Sequence, residues 1–346
     1  MERVIVLEIL TDLLGGIVRE LQSPAMAFLI AGFFLAFFKS ELKLPEAIYN
    51  FTIFMLLMRI GMAGGLEIKE AGIEGLMAMA VPALFCAIIG IVIVLLGSLT
   101  LAKLPGVKKD DAMGTAGLFG AVSGATLMAG MLALEQTGIP FEGWVPALYP
   151  FMDIPALITA VIVGNYYLRK NSKSGEKFNL KIVKSIAKES ISGFAISAMI
   201  VGLLLGIFTN PEKVFEGFYD PLFRGFLSIL MLILGMDAAK HLKSLVSVGH
   251  WYVLYALVGP FVHGLIGFGF GYLAHLLTGL SPGGVIMLAI IAASNSDISG
   301  PPTIRGGLPS ANPAAYIGAS TSLGTPVALV FCIPVFTALG MAVFGL

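Results

Sequence analysis

The sequence predicts an all-α membrane protein: ten transmembrane helices as two inverted five-helix repeats, with helices 4 and 9 broken where they cross. Three observations lead there. The 346 residues are 57% hydrophobic and 12% charged, against about 25% charged in soluble domains, and mean hydropathy is +0.93. Apolar segments fall into two sets of five, and one long polar stretch, residues 169–190, separates the sets. Short matches also recur between the halves in the same order. AVSG at 121–124 matches DISG at 297–300, PEAIYN at 45–50 echoes FEGFYD at 215–220, MLLMRIGM at 55–62 echoes ILMLILGM at 229–236, and DIPAL at 153–157 echoes TPVAL at 325–329.

The domain division follows: residues 1–168 as a first repeat with an N-terminal amphipathic helix, 169–190 as a basic cytoplasmic linker, and 191–346 as a second, inverted repeat. The opening stretch MERVIVLEILTDLLGGIVRE is interrupted by Glu8, Asp12 and Arg19. It lacks the basic start and clean apolar core of a signal peptide, and reads as a helix on the membrane surface or over the bundle. Spans are expected near 24–38, 47–64, 76–100, 110–135 and 143–168, then 191–209, 222–239, 251–279, 283–308 and 313–344. The fourth and ninth each carry a polar Ser-Gly patch near the middle.

The linker holds Arg169, Lys170, Lys173, Lys177, Lys181, Lys184 and Lys188. Basic loops stay on the cytoplasmic side, so five preceding spans put both termini outside the plasma (inner) membrane. The other loop charges vote the same way. Lys39, Lys43, Lys103, Lys108, Lys109, Lys240, Lys243 and Arg305 fall on the cytoplasmic side, against Arg3, Arg19, Lys69, Lys213 and Arg224 outside. Because each repeat has an odd number of spans, the second copy enters the membrane from the opposite face. That is a common plan of secondary transporters, whose central site opens to each side in turn.

The breaks carry the functional signal. Unpaired backbone polar groups cannot face hydrocarbon, so an interruption at Val122–Gly124 or Ser296–Gly300 must line a wet cavity inside protein. Pro301 and Pro302 suit the first turn of a restarting helix. Each restarting end offers free N–H groups and about half a positive charge. Two such ends facing each other match one small monoanion, with hydroxyls of Ser123, Thr126, Ser296 and Ser299 beside them. Asp297 would repel that anion, and its unpaired charge would cost several kcal/mol at this depth. A sodium ion on Asp297, Asn295, Ser294 and nearby carbonyls resolves the conflict and couples the two ions. Alternatively, Asp297 simply caps the restarting helix, and Ser123 serves helix packing. Asp153 either joins the cation site or pairs with Arg59; Asp237 and Lys240 sit at a span end and reach the interface.

Other chemistries find little support. Cys86 and Cys332 lie in apolar runs and read as buried small hydrophobes. His241, His250, His263 and His275 have no metal-ligand spacing, so no transition metal and no cofactor is expected. Zero net charge gives no nucleic-acid footprint. No nucleophile–base pair points to an enzyme.

Several long stretches resemble the cyanobacterial sodium-dependent bicarbonate symporter family. They are LQSPAMAFLIAGFF (21–34), TLAKLPGVKKDDAMGTAGLFGAVSGAT (100–126), ALYPFMDIPALITA (147–160), FEGFYDPLFRGFLSILMLILGM (215–236) and IIAASNSDISGPPTIRGGLPSANPAAYIGASTSLGTPVA (290–328). The resemblance implies sodium-driven bicarbonate uptake in a carbon-concentrating mechanism. It also implies a core holding the broken helices, a gate of spans one, two, six and seven, a homotrimer, and a cytoplasmic PII-like regulatory protein. It places bicarbonate at Ser123, Gly124, Ala125 and Thr126, with Ser296, Asp297, Ile298 and Ser299 opposite. Sodium falls in the same neighbourhood (Asp297, Asn295, Ser294, Ser123, Thr126), with Asp153, Arg59 and Thr325 as possible support and Ser320 as a further approach. Asn295 and Ala125 stand where the family leads one to expect serine, and the linker is shorter than in many members. The alternatives are a sodium-coupled symporter of another small anion, such as a carboxylate, and then an intramembrane enzyme or a channel.

Overall fold

The computed structural model describes residues 15–18, 21–42, 44–171, 184, 188 and 192–346. Most of the expected surface helix at residues 1–20, and most of the basic linker at 169–190, lie outside the described residues. Within them every regular element is helical. We number the principal helices α1 (Pro24–Phe37), α2 (Glu46–Leu99), α3 (Lys109–Gly120), α4 (Gly124–Thr137), α5 (Tyr149–Asn171), α6 (Phe194–Phe208), α7 (Asp220–Val248), α8 (His250–Thr278), α9 (Pro282–Ala293), α10 (Gly300–Gly307) and α11 (Pro313–Phe344). In α11, Gly318–Gly324 and Ala328–Cys332 are wound as π-helix.

Among the described residues, six helical stretches are long and apolar enough to cross a membrane, and α1, α6 and α9 are shorter apolar helices. The ends follow from local chemistry. Ser23 caps α1, its Oγ accepting from Met26 N at 3.3 Å, with Pro24 in the first turn. Ser281 does the same for α9 through Gly284 N at 3.0 Å, followed by Pro282. A cap oxygen satisfies a first-turn N–H that has no intrahelical acceptor, and proline has no N–H to satisfy there.

The second and third expected spans form one element, α2, of 54 residues. Straight, it would run about 80 Å, far beyond the ~30 Å hydrocarbon core. It is interrupted at Gly72, where φ is 63° and ψ −145°, a conformation that an L side chain strongly disfavours. The packing requires a reversal there. Leu57 Cδ2 lies 4.0 Å from where a Cβ on Gly124 would sit, while Gly90 O lies 3.0 Å from the corresponding position on Gly120. Gly120 and Gly124 can be at most about 14 Å apart, whereas Leu57 and Gly90 on a straight helix would be separated by about 50 Å. The two limbs of α2 therefore fold back beside one another.

Two close helix crossings dominate the packing. A Cβ on Gly32 of α1 would fall 2.0 Å from Leu232 O, and one on Gly235 of α7 would fall 1.9 Å from Leu29 O. Likewise a Cβ on Gly61 of α2 would meet Met199 O at 2.2 Å, and one on Gly202 of α6 would meet Met58 O at 2.6 Å. Glycine alone lets backbones approach this closely, the usual device where helices pack in lipid. The remaining helices bury the breaks: α3, α4 and α9 are almost wholly buried. Cys86 and Cys332 are free thiols, both buried.

Candidate functional site

The two interruptions meet. Helix α3 ends at Gly120 and α4 starts at Gly124; α9 ends at Ala293 and α10 starts at Gly300. The connecting segments cross in contact. Ser296 N donates to Leu118 O at 2.7 Å, and Ser123 N donates to Ser294 Oγ at 3.1 Å. Ser294 Oγ in turn donates to Ile291 O at 2.7 Å. Interrupted backbone is thus satisfied by the opposite interruption, as burial demands.

Ser123 is the N-cap of α4. Its Oγ accepts from Thr126 N at 3.2 Å and reaches Asp297 Oδ2 at 3.4 Å. The first-turn N–H groups of Gly124 and Ala125 have no intrahelical acceptor. Thr126 is buried and its Oγ1 has no partner. Across the crossing, Asp297 Oδ1 is likewise without a partner. Ile298 packs against the apolar core. Ser299 is the N-cap of α10 but makes no side-chain cap bond.

The expected amide arrays are unequal. At α10, Gly300 N is taken by Ser296 Oγ at 2.8 Å, and Pro301 and Pro302 have no N–H to offer. The α10 end therefore contributes its dipole and hydroxyls, while α4 contributes free amides as well. Asp297 does not cap α10; Ser296 supplies that hydrogen bond instead. Four half-helix ends converge here. The N-terminal ends of α4 and α10 are positive, and the C-terminal ends of α3 and α9 are negative. One crossing thus offers complementary surroundings for an anion and for a cation.

Asn295 is fully buried. Its Nδ2 donates to Ser320 O at 3.0 Å, Ser320 Oγ at 2.7 Å and Thr325 Oγ1 at 2.9 Å. Ser320 Oγ donates onward to Ser296 O at 2.8 Å. Asn295 Oδ1 has no partner. Thr325 and Ser320 are thereby placed behind the second interruption, bracing Asn295.

Asp153 is fully buried, and its Oδ1 accepts from Val122 N at 3.1 Å and Ser299 Oγ at 3.1 Å. The expected pairing with Arg59 is corrected. Arg59 binds Asp220 at 2.6 Å and lies 4.5 Å over the Phe223 ring. The partner came from the second half because the start of α7 lies against α2. Tyr149 was missing from the expected site; its hydroxyl lies 3.2 Å from Ser299 Oγ. The i, i+4 spacing of Tyr149 and Asp153, which puts both on one helix face, was the available signal.

A cavity of about 490 Å³ lies between the C-terminal end of α1, the start of α2 and α7, bordered by Glu46, Tyr49 and the ion pair Asp237–Lys240 at 2.8 Å.

No curated protein matches the chain. The family model described as the Na+-dependent bicarbonate transporter superfamily matches residues 24–341, nearly the whole of a chain whose interrupted helices meet at a carboxylate, and the chain belongs to that superfamily.

Proposed function

We propose that this transporter takes up bicarbonate driven by sodium, with both ions bound where α4 and α10 begin. Family membership and the apolar helices make the chain a multi-pass membrane transporter, not an enzyme. The observation that carries the finer reading is the contact of Ser123 with Asp297 across the two interruptions, with Asp297 Oδ1 left open. A cation held by Asp297, Ser123, Thr126, Ser294 and the open Asn295 Oδ1 removes the repulsion that Asp297 would exert on an anion. The anion then lies against the free first-turn amides of Gly124 and Ala125.

Alternating access by an inverted repeat fits the packing. Ser123 and Ser299 are both N-caps, each followed by a glycine that starts a helix, Gly124 and Gly300, and the AVSG–DISG match pairs them in sequence. The glycine crossings also exchange as an inverted pair would: α1 on α7 at Gly32 and Gly235, α6 on α2 at Gly202 and Gly61. In this reading α1, α6, α7 and the first limb of α2 form a gate that rocks against the rest. Residues 169–190 face the cytoplasm and both termini face outside.

The test is radiolabelled bicarbonate uptake into proteoliposomes with and without an inward sodium gradient. Sodium-stimulated uptake is expected, and Asp297→Asn should abolish it while the protein stays folded and assembled. Normal sodium-stimulated uptake by that variant would remove Asp297 from the cation site. Competition by a small carboxylate, with no bicarbonate uptake, would favour the other small-anion symporter.

A further inference from the structure

The crossing contains a second buried carboxylate that the single-cation scheme leaves uncompensated. Asp297 meets the N-cap of α4, Ser123, at 3.4 Å; Asp153 meets the N-cap of α10, Ser299, at 3.1 Å. Each carboxylate keeps one oxygen without a partner, Asp297 Oδ1 and Asp153 Oδ2. Among the described residues neither has a basic side chain within ion-pair distance: Arg59 is engaged with Asp220, Lys69 with Glu212 and Lys240 with Asp237. A lone ionised carboxylate is costly in a protein interior.

The surroundings of Asp153 are rich in oxygen. Ser299 Oγ, which donates to Asp153 Oδ1, is 3.0 Å from Ser296 Oγ and 3.2 Å from Tyr149 OH. Hard monovalent cations favour such oxygen donors. A proton fits less well, since one on Oδ2 would meet no acceptor. Oδ1 already accepts two hydrogen bonds, which favours the ionised form. The charges also balance better with a second cation. The positive helix ends offset a bound monoanion, leaving two carboxylates beside the negative ends of α3 and α9.

We infer that the crossing binds two sodium ions, the second on Asp153 together with the hydroxyls of Ser299, Ser296 and Tyr149. Resting on the sodium–bicarbonate reading, this makes each transport cycle carry one net positive charge inward with bicarbonate.

Equilibrium binding of radioactive sodium to the purified, detergent-solubilised protein, in the absence of bicarbonate, tests the count. Two ions per chain are expected for the wild type, and one each for Asp153→Asn and Asp297→Asn. Tyr149→Phe should keep both sites while weakening one severalfold. One ion in the wild type overturns the inference, as does an unchanged count in Asp153→Asn. The wild-type count stands even if a variant fails to fold. Failure of the bicarbonate reading has a different signature, sodium binding intact with no bicarbonate uptake.

Discussion

Gly235→Ala adds one methyl group where α7 crosses α1. That methyl would sit 1.9 Å from Leu29 O and 2.8 Å from Phe33 N, both backbone atoms that no rotamer change can move. Close carbon–oxygen contacts run to about 3.3 Å, so the helices must part by about 1.4 Å locally. A gap of even 0.5–1 Å forfeits roughly a quarter to a half of the dispersion attraction across it, and overpacking of this kind typically costs about 1–3 kcal/mol. At roughly 2–4 °C per kcal/mol, the Tm of the detergent-solubilised protein should fall by about 2–12 °C. Gly61→Ala, whose methyl would meet Met199 O at 2.2 Å, should show a similar loss. Gly225→Ala is the control on the same helix: nothing lies within 4 Å of its position, and alanine's helix propensity should leave the protein equal or up to about 1 kcal/mol more stable. A melt of Gly235→Ala indistinguishable from wild type, alongside a stable Gly225→Ala, would refute the tight crossing.

Ser123→Leu places a branched side chain at the fully buried cap of α4 and should raise the half-saturating bicarbonate concentration at least tenfold in uptake assays. Unaltered affinity would remove the first interruption from the anion site. Asn295→Ala deletes the donor that holds Ser320 and Thr325, leaving buried acceptors unpaired at about 1–3 kcal/mol; a lowered Tm and weakened sodium stimulation are expected together. Arg59→Gln breaks a pair whose Asp220 side chain is 47% exposed, so no more than about 1 kcal/mol should be lost. The sodium dependence of its uptake should match wild type, which separates Arg59 from the cation site.

Much of this architecture was legible because lipid imposes simple rules. The breaks stood out as Ser-Gly-Pro patches inside apolar runs, and the helices stop and restart where those patches predict. The shared role of Ser123 and Ser299 as helix caps was readable from the Ser-Gly pair common to AVSG and DISG. The partner of Arg59 was not, because pairing with Asp220 depends on how α7 seats against α2, which neither segment encodes alone. The unequal amide arrays were only half visible: Pro301 and Pro302 marked a helix start, but they also withdraw two of the donors that such a start usually supplies. Tyr149 escaped notice because aromatic residues in a membrane chain most often face lipid or fill space, and only the position of Ser299 gives its hydroxyl a purpose.

The reversal of α2 at Gly72 has a mechanical corollary. One limb holds α6 through Gly61, and the other holds α5 and α3 through Gly90 and Gly120. Gly72 is therefore a covalent joint between the two bodies that the proposed rocking would move. A second joint follows α7 at Gly249, where φ is 135° and no atom lies within 4 Å of a would-be side chain. In the proposed cycle, torsion at these pivots would help one body swing while the four converging helix ends travel together, carrying their ions across without being unmade.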